Sequence, residues 1–99
     1  MRPTRLSEDE IRTALAELTN WTREGDAIRR QFTFASFPDA IAFATRLAFD
    51  AEAADHHPDV AINYKRVTLT YSTHSEGGLT GKDVEGARTA DRLAAKFLS

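Results

Sequence analysis

The segment AEAADHHPDVAINYKRVTLTYS, residues 51–72, decides how the chain folds. A helical, alanine-rich run reaches two adjacent histidines, His56 and His57, and Pro58 follows at once. The residue before a proline is pushed out of the α region. The helix must therefore stop ahead of Pro58, with His56 near its last turn and His57 extended. Past the proline the period changes. VAIN and RVTLTYS read as two strands, in which Val67, Leu69 and Tyr71 face one way and Arg66, Thr68, Thr70 and Ser72 the other.

Upstream, SFPD opens this helix: Ser36 can cap, Pro38 sits in the first turn and Asp39 complements the helix dipole. Ile41, Ala44, Leu47, Ala48 and Ala51 make its expected inward face. Earlier still, SEDE offers a capping box from Ser7 to Glu10, and Ile11, Ala14, Leu15 and Leu18 follow at helical spacing, with Asn20 as the stop. Between these helices, Ile28, Phe32 and Phe34 share one strand parity while Arg29, Gln31 and Thr33 take the other. Arg30 breaks the pattern, as a side chain snorkelling at an edge or oligomer contact would. Gly25 marks a hairpin turn back to a short strand near Trp21. Downstream, HSEGG is a glycine loop. TGKD, with Thr80 as cap, opens a last helix carrying Val84, Ala87, Ala94, Phe97 and Leu98.

The order α-β-β-α-β-β-α predicts one α+β domain over residues 1–99. It is a four-stranded, mainly antiparallel sheet with helices packed on one face. The other face, or an edge strand, is left for a partner subunit. A core built from 99 residues is marginal alone, so self-association is expected on size as well.

Composition narrows the function. A net charge of −2 lacks the basic surplus that phosphate binding needs, which argues against nucleic acid. The chain has no cysteine, so disulfides, thiolate ligands and cysteine nucleophiles are excluded together. The N-terminal MRPTRLSEDE has no apolar core, and no apolar run is long enough to cross a bilayer. A cytoplasmic protein is the expectation.

The chemistry-bearing residues cluster. His56, His57 and His74 are all the histidines of the chain, with acids beside them at Glu52, Asp55 and Asp59. Three readings compete. Histidines at a helix C-terminus are common and need no function. A metal site has suitable ligand types, but helical neighbours point about 100° apart, and the usual i, i+4 histidine pair is absent. Acid/base chemistry suits two neighbouring imidazoles, whose unperturbed pKa of about 6.5 lets them hold one proton between them at neutral pH. Glu52, four residues before His56, shares its helix face and can orient or charge it. A dehydration would use such a pair well, one group protonating the leaving hydroxyl and the other taking a proton from the neighbouring atom. Ser72, Thr73 and Ser75 flank His74 without a nucleophile-elbow pattern. EGGLTGK lacks the glycine spacing of a phosphate loop.

The residues also follow a gapped signature: Glu52, AAD, His56-His57-Pro58, DVAIN, Tyr64, KRVTLTYST, His74, SEGGLTGK, Asp83. In this the chain resembles the pterin-4a-carbinolamine dehydratases, over about a third of its length by motif and over nearly all of it by element order. The resemblance implies an enzyme, a hydro-lyase that converts 4a-hydroxytetrahydrobiopterin to quinonoid dihydropterin in cofactor recycling. It implies catalytic roles for His56, His57 and His74, and substrate contacts from Glu52, Asp55, Pro58, Ser72 and Thr73. It also implies no metal or organic cofactor, a homo-oligomer (dimer or tetramer), and a functional link to an aromatic amino acid hydroxylase. Tyr64 reads as core or pocket wall. Asp83 fits equally as motif residue and as helix-start acid. One departure stands out: many members carry tryptophan two residues after the motif proline, and here that residue is Val60. The rival reading is a non-catalytic assembly or protein-binding factor on the same fold; the intact histidine set counts against it.

Overall fold

The computed structural model describes residues 4–98. The chain runs α1 (Glu8–Glu17), β1 (Thr22–Glu24), β2 (Ala27–Thr33), α2 (Phe37–Ala54), β3 (Asp59–Asn63), β4 (Arg66–Tyr71) and α3 (Gly81–Leu98). A 3₁₀ turn at His74–Glu76 precedes α3. The element order is the expected one. The strands form one antiparallel sheet in the order β1-β2-β4-β3.

Local signals place the helices. Ser7 Oγ accepts from the Glu10 N–H at 3.1 Å, and the Glu10 carboxylate accepts from the Ser7 N–H at 2.8 Å. Such a reciprocal box satisfies two donors that the first turn of a helix leaves free. Ser36 Oγ accepts from the Asp39 N–H and caps α2 with that single bond. Arg23 on β1 bonds Glu8, holding its carboxyl below the usual range and tying α1 to the hairpin.

Strand parity places the core. Ile28, Phe32 and Phe34 meet Val67, Leu69 and Tyr71 on the helix-covered face. Phe43 of α2 packs on Phe32 and Phe34, with ring centroids 5.1 and 5.0 Å away. It is fully buried, and truncating such a ring costs about 3–5 kcal/mol. Arg30 lies on this inner face, on a strand that is not at the edge of the sheet. It reaches Asp91 of α3 at 2.7 Å, while Asp91 also accepts from the Trp21 indole N–H at 3.0 Å. The Arg30 guanidinium covers the Phe32 ring on the way.

Two expectations need correction. The buried face of α2 is Ala40, Phe43, Leu47 and Ala51. Ile41 and Ala48 are exposed and Ala44 half-buried. The helix is apolar on most sides, so periodicity could not choose its inner face; the Phe43 ring did, by filling the space over β2. Tyr64 is neither core nor pocket wall. It sits in the β3–β4 turn in the left-handed region, at φ 55°, and is exposed. The side chain of Leu98 lies outside the described residues.

Candidate acid/base site

The exit from α2 separates the two histidines. Asp55 adopts a left-handed conformation, φ 51°, and its N–H donates to the Glu52 carbonyl while the His56 N–H donates to the Ala51 carbonyl. This paired closure ends helices cleanly, usually with glycine; aspartate is among the few other residues that tolerate it. Asp55 is thus a helix terminator with an exposed side chain. Pro58 then starts the extended run into β3. Asp59 pairs with Thr70, so the start of β3 lies against the end of β4, where Ser72, Thr73 and His74 follow.

His56 turns inward. Its Nε2 shares a hydrogen bond with Asp83 Oδ1 at 2.6 Å, and its ring lies nearly parallel to that of Tyr71, with centroids 5.9 Å apart. Asp83 has no exposed surface. Its Oδ2 accepts from the Thr73 hydroxyl at 2.8 Å and from the Thr80 N–H at 2.9 Å. Thr80 Oγ1 in turn accepts from the Lys82 N–H. Both readings of Asp83 therefore hold together: it caps α3 and it anchors His56. The sequence reading missed this pair, although the last position of the signature was its signal. It also missed Tyr71, because strand parity shows only that the residue is buried.

His57 turns outward. Its Nε2 meets Glu52 Oε1 at 2.7 Å. The expected Glu52–His56 pairing is thus replaced by Glu52–His57. The reason is the left-handed turn at Asp55, which takes His56 off the helical face that an i, i+4 pair requires. His74 lies exposed in the 3₁₀ turn, with Nε2 3.3 Å from Ser72 Oγ. Thr73 is buried, and its hydroxyl is committed to Asp83 and Thr80. Any contact it makes with a ligand falls to its backbone. In all three imidazoles Nε2 is the engaged nitrogen, and among the described residues no protein group bonds Nδ1. Among the described residues, no group of three His, Cys, Asp or Glu side chains is placed to hold a metal ion. No helix there is long and apolar enough to cross a membrane.

A single antiparallel sheet under three helices, with three histidines gathered at one end of β4, defines a small α+β protein with a histidine-rich sheet end. The chain belongs to the pterin 4 alpha carbinolamine dehydratase family, whose sequence profile matches residues 4–93. Such dehydratases are hydro-lyases. A relative in Nocardia farcinica is 54% identical over 89 residues, covering 90% of this chain and 94% of its own. Another in Roseiflexus sp. (strain RS-1) is 52% identical over 90 residues, covering 91% and 97%. Both carry the provisional name pterin-4-alpha-carbinolamine dehydratase. The crystal structure of a transcriptional coactivator/pterin dehydratase from Brucella Melitensis superimposes with a TM-score of 0.89 at 40% identity, over 92% of this chain and 99% of that one. A pterin dehydratase-like RuBisCO assembly factor of the alpha-carboxysome shares the fold at 23% identity and a TM-score of 0.62.

Proposed function

We propose that this protein dehydrates 4a-hydroxytetrahydrobiopterin to the quinonoid dihydropterin by histidine acid/base catalysis. The observation that carries the reading is that, in a member of this family, the adjacent imidazoles are each held by a separate carboxylate, His56 by Asp83 and His57 by Glu52. A carboxylate on one ring nitrogen fixes the ring's orientation and leaves the other nitrogen to exchange a proton. In the reaction the C4a–O bond breaks as its oxygen takes a proton and leaves as water. The proton on N5 is given up, and its electron pair forms the C4a=N5 bond. One imidazole supplies the first proton and the other accepts the second, so the pair ends each turnover with one proton between them. In this reading His74, Ser72, Pro58 and the Thr73 backbone line the substrate, with Glu52 and Asp55 at the rim.

The chemistry needs no metal or organic cofactor in this reading. It belongs in the cytoplasm, where a cysteine-free chain is at home, and downstream of an aromatic amino acid hydroxylase. A homo-oligomer, dimer or tetramer, is supported by exposed apolar side chains on two elements. These are Phe37, Ile41 and Phe49 on α2, and Val60 and Ile62 on β3. Val60 and Ile62 pair with Leu69 and Val67, so they face the helix side of the sheet yet remain uncovered. Sedimentation equilibrium at micromolar concentration is expected to show at least a dimer; a fully active monomer would contradict it.

The deciding experiment follows carbinolamine disappearance spectroscopically with and without purified, chelator-treated protein. Acceleration over the spontaneous reaction is expected. No acceleration by folded protein would sink the proposal and favour the assembly-factor alternative.

A further inference from the structure

We infer that the groove enclosed by α1, α2 and α3 is a second ligand site, and that it takes a small, neutral aryl or heteroaryl compound carrying a hydrogen-bond acceptor. Its volume is about 750 Å³, within the range of pockets that hold small molecules. Of the proposed acid/base site only His56 lines it.

The walls are apolar, with Leu6 and Ala14 on one side and Leu47, Ala51 and Val84 on the others. Most of the charged side chains at the rim are paired, although acids outnumber bases there. Arg88 bonds Glu17 and Glu85, Asp9 bonds Arg12, and Asp50 bonds Arg46. An acid-rich rim repels an anion, and the apolar walls favour a neutral, flat guest over a solvated cation.

Tyr71 supplies the polar anchor. The residue is 2% exposed, and among the described residues no protein group bonds its hydroxyl. No fully buried side-chain N or O atom there lacks a partner, so the Tyr71 oxygen must reach open space, and the groove is the space Tyr71 lines. A phenol left without a partner on an apolar floor is a donor awaiting an acceptor. Burial first, then the Asp83 and Asp50 charges, push its pKa up to about 12, which keeps the proton in place for donation across the physiological range. Gly86 makes room for this anchor: a Cβ there would fall 2.4 Å from the Tyr71 ring. The ring can therefore lie directly against the backbone of α3.

The test titrates ¹⁵N-labelled protein with acetophenone and, in parallel, with ethylbenzene, which is similar in size but lacks the acceptor. Acetophenone is expected to shift the amides of Ala14, Ala51, Val84, Gly86 and Thr89, leaving those of His57 and His74 in place. Tyr71→Phe should weaken acetophenone about fivefold, the value of one modest hydrogen bond, and leave ethylbenzene unchanged. No shifts in the groove, or shifts centred on His57 and His74, would overturn the site. Equal binding of both probes to wild type would overturn the Tyr71 anchor, a result that does not depend on how the variant folds. Displacement of acetophenone by a dihydropterin would make the groove part of the substrate site and overturn its separateness.

Discussion

His56 and His57 are neighbours in sequence and opposites in the fold. The His56 side chain is 12% exposed, held by a carboxylate with no exposed surface that arrives 27 residues later, at the start of α3. The His57 side chain is 55% exposed, held by a carboxylate 80% exposed on the preceding helix. The same ring chemistry thus rests on tertiary structure in one case and on local structure in the other. A hydrogen bond that satisfies buried groups is costly to break, whereas an exposed ion pair is worth about 0–1 kcal/mol. Substitutions put this contrast to the test.

The largest effect is expected from Asp83→Ala. It strands the Thr80 N–H and the His56 Nε2 in the interior together, and leaves the Thr73 hydroxyl only Thr80 as a partner. Removing one member of a buried charged network costs roughly 3–5 kcal/mol. Urea denaturation should show that loss, and any dehydratase activity should fall with it. Unchanged stability would mean that His56 does not depend on Asp83.

Next come the histidines themselves. His56→Ala and His57→Ala should each lower kcat by roughly 10²–10⁴-fold, the usual contribution of a general acid or base. The double variant should lose less than the product, because the pair works as a unit. Stability should separate them: His56→Ala is expected to cost about 1–3 kcal/mol and His57→Ala less than about 0.5 kcal/mol. Equal stability losses would erase the contrast. Near-wild-type kcat in both would remove the acid/base assignment.

Tyr71, stacked on His56, gives a pH test. Its pKa is raised to about 12, first by burial and then by the Asp83 and Asp50 charges. In the unfolded chain a tyrosine titrates near 10. Between these values the folded state holds the proton that the unfolded state has released, so stability falls as pH rises. The contribution is fully present below about pH 10 and lost through about pH 12, on the order of 2 kcal/mol. Tyr71→Phe should flatten this alkaline slope. An unchanged slope would mean that other groups govern it.

The sequence carried most of the frame and only part of the site. Ser7, Ser36 and Thr80 announced their helices because capping is local chemistry, and Pro58 announced the end of α2. Strand alternation found the inner face of β4 without error. Where the signal was not local, the reading went astray. On α2 several faces are apolar, and only the space above β2 shows why Phe43 points inward. Glu52 was assigned to His56 by helical spacing, but the left-handed residue at Asp55 breaks that spacing, and nothing in an aspartate before two histidines declares it. Asp83 could not be paired with His56 from sequence, because the bond depends on how α3 docks against the end of β4. The residues that needed the fold are thus those with distant partners.

The smallest effect should come from Glu52→Gln. The change keeps the size of the side chain and removes its charge opposite His57. Both groups stand in solvent, where water screens the attraction and can replace the lost partner. Stability should move by less than about 0.5 kcal/mol. Activity should fall by less than about tenfold, as one exposed ion pair of up to 1 kcal/mol allows. The loss should shrink as salt is raised, since wild type then loses the same attraction. That salt dependence separates an electrostatic aid to His57 from a direct substrate contact by Glu52, which would appear mainly in KM and persist at high salt. A 100-fold loss in kcat, insensitive to salt, would show that the exposed pair is as essential as the buried one.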